Sequence, residues 1–220
     1  MIRKGEEWGA PAGDAPPDLE VVGDDAALAA ALAGAGPDLL VRFSPSPNSD
    51  LARAVGLSGA VAGAAGHTAL PLDLLRLGDG GVAVNAVVVG VAPDRLRWWH
   101  RGFPVEVTVD GSALAARATT VVITTGQFLR GLDVSPRGHP GDGWCEVQVY
   151  CLPAGQRGAM RSRLRSGSHL PHQGITTRRG RSVSVRCGRP VPVEVDGKGA
   201  VKGTRGVSVE VVPAAFRLLI

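Results

Sequence analysis

Aromatic residues are scarce in this 220-residue chain: four tryptophans, four phenylalanines and one tyrosine, 4% in all. None lies between Tyr150 and Phe216, so that stretch lacks the stacking platforms that hold single-stranded nucleic acid, and a nucleic-acid partner is disfavoured. Acidic residues are missing between Glu146 and Glu194, where nine arginines occur. The chain as a whole carries +4, so one basic region sits in a mildly acidic remainder. Cys145, Cys151 and Cys187 are odd in number and lack Cys-x-x-Cys spacing, which argues against a disulfide framework or a zinc site. Cys145 and Cys151, six apart in a strand pattern, are expected to share a buried face. No run of eighteen apolar residues exists, and Met1-Ile-Arg-Lys-Gly-Glu-Glu has no apolar stretch of the secretion type. A cytoplasmic location is the expectation, peripheral to the inner face of the membrane if the arginines dock on lipid.

The 44% hydrophobic content and the length suffice for a real core. Residues 1–19, rich in Gly, Pro, Asp and Glu, predict a poorly ordered leader, with only Trp8 against it. After Asp24-Asp25, an alanine- and leucine-rich run predicts a helix that Gly34-Ala-Gly-Pro37 stops. A strand at Leu39 to Phe43 and a short helix at Asp50 to Val55 follow, the latter capped by Ser49 or Asp50. The stretch Gly56 to Gly66 supports no assignment. Beyond residue 80 the hydrophobic period becomes two. Eight runs, from Val82–Val91 to Phe216–Leu219, read as strands, with hairpin turns at Asp110-Gly111 and Asp196-Gly197. The segment Gln156 to Arg165 reads as a surface helix with its arginines outward. The expected fold is therefore α+β: a reduced α/β part over 20–78 packed on a β-sandwich over 79–220.

The chain closes with Arg189-Pro-Val-Pro-Val-Glu-Val-Asp196-Gly197-Lys198 and Val207-Ser-Val-Glu-Val-Val-Pro213-Ala-Ala-Phe-Arg-Leu-Leu-Ile220. Upstream stand Gly126-Gln-Phe-Leu-Arg-Gly131, Pro136-Arg-Gly-His-Pro-Gly-Asp142-Gly143 and Asn48-Ser-Asp50-Leu-Ala-Arg53. In order and context these resemble the diacylglycerol kinase family of bacterial lipid kinases, within the NAD kinase-like superfamily, over roughly residues 38 to 220. The resemblance implies a lipid-kinase sandwich, ATP and magnesium as cofactors, and transfer of phosphate to a lipid hydroxyl.

Three departures qualify that implication. The family's Gly-Gly-Asp-Gly-Thr phosphate loop should precede residue 44, and no such wording is there; Gly78-Asp79-Gly80 comes after the landmark. Pro45 and Pro47 remove backbone donors where the family has small permissive residues. The turn that reads Asp-Gly-Glu in the family, with the glutamate as presumed general base, here ends in Lys198. An ammonium cannot accept a proton, and its ordinary pKa of about 10.4 would have to fall by several units first. Loss of a general base typically costs roughly 100- to 10,000-fold in rate. The expectation is a catalytically degenerate homologue, truncated at its amino end, that binds a lipid, a nucleotide or a partner. The alternatives are an active ATP- and magnesium-dependent lipid kinase using Glu194 or Asp196 as base, and a regulatory subunit docking an acidic protein.

For individual residues the resemblance implies magnesium at Asp142 and nucleotide near Asn48, Asp50 and Asn85. The local readings are a turn aspartate, a helix cap and a buried strand amide that needs hydrogen bonds. Arg161, Arg163, Arg165, Arg178 and Arg179 form a belt that is either solvated, lipid-facing or, less favoured, nucleic-acid-facing. His169-Leu-Pro-His172 reads as a loop, since nothing nearby supplies a third metal ligand. Trp98-Trp99 reads first as core; if exposed, it becomes a contact with membrane or with a second copy in a homodimer.

Overall fold

A computed structural model describes residues 8–13, 16–57, 68–199 and 203–220. Gly56 is described; the ambiguous stretch that follows lies largely outside those residues. Near the amino end, β1 (Ala10–Pro11) and β2 (Leu19–Gly23) precede α1 (Asp25–Leu32), β3 (Leu39–Pro45) and α2 (Asp50–Ala54). β2 and β3 run parallel, Leu19 opposite Val41 and Val21 opposite Phe43, so β2, α1 and β3 form a crossover unit. Helix α1 starts where the Asp24 carboxylate accepts the N–H of Ala27 at 3.0 Å, and it buries Leu28 and Leu32 against Val41, Phe43 and Phe216. Part of the segment expected to be a leader, residues 8–13, is described. β1 pairs with Thr68 and Ala69, the Trp8 indole donates to the Pro71 carbonyl at 3.3 Å, and its ring meets His139 edge-on.

The rest of the chain is β4 (Thr68–Leu77), β5 (Val82–Ala83), β6 (Ala86–Gly90), β7 (Phe103–Val109), β8 (Ser112–Ala118), β9 (Thr120–Thr124), β10 (Phe128–Leu129), β11 (Leu132–Asp133), β12 (Cys145–Tyr150), α3 (Arg157–Leu164), β13 (Ile175–Gly180), β14 (Ser182–Val191), β15 (Val193–Val195), β16 (Lys198–Gly199) and β17 (Thr204–Leu219). A six-stranded antiparallel sheet runs β13-β12-β9-β6-β15-β16. It faces a nine-stranded sheet whose spine is β1-β4-β17-β14-β7-β8, with β2 and β3 attached at the far end of β17. Valines at alternate positions, such as Val87, Val89, Val121, Val147, Val107 and Val185, meet between the sheets. The opposite face of the smaller sheet is covered too: Val88, Val122 and Tyr150 pack under Leu96, Met160 and Leu164. Burial on both faces explains why β6 and β9 read as continuous apolar runs.

The two segments expected at Val207–Val212 and Phe216–Leu219 are one strand. β17 pairs with β14 and the end of β4 first; after an irregularity between Val212 and Phe216 it pairs with the start of β4 and, in parallel, with β3. Asp73 anchors that irregularity from a fully buried position in β4, accepting the N–H of Ala214 at 2.9 Å and of Gly143 at 2.7 Å. Burial pushes its pKa up to about 6. One sheet thus runs through both halves, and the line expected at residue 78 falls between paired strands β4 and β5.

Two expectations need correction. Cys151 is exposed because β12 ends at Tyr150, so the alternation that buries Cys145 does not reach it; Cys187 is buried. Arg157 of α3 points inward rather than outward, its guanidinium donating to carbonyls at Leu152 and His100.

Candidate functional site

At the carboxyl ends of the parallel strands β2 and β3 lies a cleft of about 380 Å³, the place where open α/β sheets bind ligands. Asp24, Asp25, Asn48, Arg53, Arg130 and Lys198 are among the residues that line it. Three turns converge there: Gly23-Asp24 entering α1, Asn48-Ser49 entering α2, and the Asp196-Gly197 hairpin. Asp196 and Gly197 have φ of 44° and 80°, the paired positive values of a two-residue hairpin turn.

The donors that would ordinarily hold an anion are filled by the chain's own carboxylates. Asp25, buried, accepts the hydroxyl of Ser49 and the backbone N–H groups of Asp50 at 2.9 Å and Leu51 at 3.2 Å, which are the free donors at the start of α2. Ser49 accepts the N–H of Ala52 at 3.0 Å, so the capping residue is Ser49. Asp50 turns away from the cleft and accepts the N–H groups of Arg130 and Gly131, the latter at 2.7 Å. Arg130 itself has a positive φ of 52° and bridges Asp94, at 3.1 Å, and Glu194. Lys198 binds Asp24 at 2.7 Å, and that ammonium, followed by the Ala27 N–H, holds the Asp24 carboxyl below its ordinary range.

Asp196 is buried as well. Its carboxylate accepts the N–H of Val84 at 2.8 Å, of Asn85 at 3.0 Å and of Ala86 at 2.8 Å, donors freed where the chain steps between β5 and β6. Burial pushes its pKa up to about 7, against the opposing pull of those hydrogen bonds. Desolvation likewise raises Asp25 and Asp50.

Of the residues singled out from sequence, Asn48, Asp196 and Lys198 reach the cleft. Glu194 reaches its edge, half-buried and tied to Arg130. Asn85 lies beneath, its amide donating to the Phe128 carbonyl at 3.0 Å while its own oxygen has no protein partner. Asp142 lies elsewhere, beside Asp73 and His139. One of its oxygens accepts the Trp144 N–H at 3.1 Å and the other pairs with Arg179, which also meets Glu146 at 3.4 Å. Bound in this way it does not fit magnesium, and no cluster of three or more His, Cys, Asp or Glu able to hold a metal occurs among the described residues. His169 is buried, and His172 accepts the Gly174 N–H at 3.0 Å. The arginine belt is split: Arg161, Arg163 and Arg165 lie on or just after α3, whereas Arg178 and Arg179 lie on the edge strand β13.

Asp25 and Arg130 went unrecognised as site residues. A Gly-Asp-Asp turn between the short strand β2 and a helix is the local signal at Asp25, but it does not reveal the pairing with the start of α2. Nothing local to Arg130 marks it, because its partners lie 36, 64 and 80 residues away.

A parallel crossover built into the larger of two facing sheets, with a ligand cleft at the crossover, defines the class: an α+β protein with an NAD kinase-like sandwich. Residues 87–220 match the family model of the YegS C-terminal NAD kinase beta sandwich-like domain, and the chain belongs to that family. A crystal structure of a candidate diacylglycerol kinase from Bacillus anthracis str. Sterne is similar, with a TM-score of 0.76 at 19% identity over 92% of this chain and 78% of that one. Another, titled a diacylglycerol kinase from the same organism, gives 0.73 at 20% identity over 92% and 77%. An NAD kinase from Archaeoglobus fulgidus in complex with ATP gives 0.53 at 14% identity over 92% and 78%. At these identities the likeness is one of fold. Among curated proteins, no sequence matches.

Proposed function

We propose that this chain is a lipid-kinase-type binding protein that does not transfer phosphate. The observation that carries the reading is the occupancy of the cleft's own donors: Asp25 on the start of α2, Asp50 on the Arg130-Gly131 turn, and Asp24 against Lys198. Phosphoryl transfer rests on positioning and on neutralising charge at the phosphates. Each internal carboxylate removes a donor from that task, and Asp24 and Asp25, which line the cleft, also set acidic groups against the incoming triphosphate. Lys198, paired with Asp24, stands at the position that the resemblance gives to a carboxylate base, so the cleft has no carboxylate there to take a proton from a hydroxyl.

An active kinase would need another base. Asp196 is committed to three backbone N–H groups and Glu194 to Arg130, which argues against both. What the cleft retains is recognition: Arg53 and Arg95 beside a polar recess suit a small anionic group. Thermal denaturation with ATP, ADP and a phosphorylated lipid headgroup, each with and without magnesium, tests this. The reading predicts stabilisation that does not depend on magnesium. Stabilisation by ATP that appears only with magnesium would overturn it.

A further inference from the structure

The largest exposed apolar feature among the described residues belongs to neither the cleft nor the core. Trp98 and Trp99 are 75% and 56% exposed, their rings edge-to-face at 5.5 Å. They are displayed rather than loosely hung. The buried guanidinium of Arg157 donates to the carbonyls of Arg97, Trp98 and His100, the last at 2.8 Å, and Arg161 donates to that of Leu96 at 2.9 Å. Leu96 is itself packed in one cluster with Met160 and Leu164 of α3. The tryptophan loop and the arginine helix are therefore one built surface.

Its charge is of one sign. Arg95, Arg97 and Arg101 flank the pair in sequence, and Arg163 and Arg165 are exposed on the adjoining helix and its end. The nearest acid in sequence, Asp94, faces Arg130 at 3.1 Å instead. We infer that this surface docks the protein on an anionic lipid bilayer, the indoles seated at the headgroup boundary and the arginines on the lipid charges. Indole is an interfacial side chain, apolar in body with one polar N–H, and cations near an anionic leaflet add to its hold. Two weak signals of different kind together give stable attachment where either alone is marginal. A second copy is the poorer occupant, since a two-fold contact through this patch sets arginine against arginine. Arg95 also lines the cleft, so docking holds the cleft beside the headgroup layer. The inference stands whether or not the cleft transfers phosphate.

Sedimentation with phosphatidylcholine vesicles, with and without phosphatidylglycerol, at low and high salt, is the test, read together with tryptophan quenching by brominated lipid. The expected result is binding only to the anionic vesicles and only at low salt, with quenching that Trp98→Ala/Trp99→Ala abolishes although Trp8 and Trp144 remain. Arg163→Glu/Arg165→Glu, two surface changes that leave the melting temperature unaltered, should weaken binding about 10-fold or more. Absence of binding, equal binding to neutral vesicles, or quenching unchanged by the tryptophan variant would overturn the inference. So would a concentration-dependent dimer that the tryptophan variant dissolves.

Discussion

Two Asp-Gly hairpins in this molecule have the same backbone and different fates. Asp110-Gly111 joins β7 to β8 with φ of 49° and 76°; Asp196-Gly197 joins β15 to β16 with 44° and 80°. Asp110 accepts the N–H groups of Arg181 and Ser182 at the surface, at 3.0 and 2.9 Å. Asp196 is buried and accepts three donors from the step between β5 and β6. Turn chemistry is local, and it selects Asp-Gly in both places. Whether the turn becomes part of a cleft depends on which unpaired backbone donors the neighbouring sheet presents, a property of topology.

That difference can be broken most severely at Asp196. Asp196→Asn points an amide NH2 at backbone donors that need an acceptor, and urea unfolding should show a loss of about 2–4 kcal/mol. A loss indistinguishable from that of the surface turn would erase the contrast. The pH dependence sharpens it. Asp196 and Asp73 titrate in the fold near 7 and 6, above their unfolded value of 3.8, so the native state keeps protons that the unfolded chain releases. Their contribution to stability is complete below the unfolded value and is lost as pH rises through 6 and 7. Urea midpoints measured across that window should fall with rising pH in the parent protein and fall less in Asp196→Asn.

Arg130→Met comes next, leaving the half-buried Glu194 and Asp94 without their cation at an expected cost of about 1–2 kcal/mol by the same unfolding measurement. Asp110→Asn is the smallest change. Its donors are exposed and water replaces the carboxylate, so the expected loss stays under about 1 kcal/mol.

The sandwich was the most legible part of the fold, because a two-residue period of valines is a local signal that each strand carries by itself. Both Asp-Gly turns were legible for the same reason, and so was the cap of α2 to within Ser49 or Asp50, of which the structure uses Ser49. β2 and β4 were not. β2 is only five residues with an acidic residue inside it, and β4 carries Pro71 and the buried Asp73, which suit a strand only because Gly143 and Ala214, far along the chain, supply donors to that carboxylate. Part of the cleft could be read from the carboxyl-terminal wording, which leads to Lys198. Its partner Asp24 and the carboxylate plugs at Asp25 and Asp50 could not, since each pairing joins residues that only the crossover brings together. Trp98 and Trp99 were read first as core, for an indole usually is; their exposure follows from Arg157 and Arg161 holding the backbone below them.

The central claim is that the cleft keeps the shape of a phosphorylating enzyme with its donors plugged and its base replaced. Transfer of labelled γ-phosphate from magnesium-ATP to diacylglycerol in mixed micelles, measured for the parent protein and for Lys198→Glu, tests it most directly. The account predicts no labelled lipid above background from either, because a restored carboxylate does not unplug Asp25 and Asp50. Sustained turnover by the parent protein, in excess of the enzyme present, would contradict it.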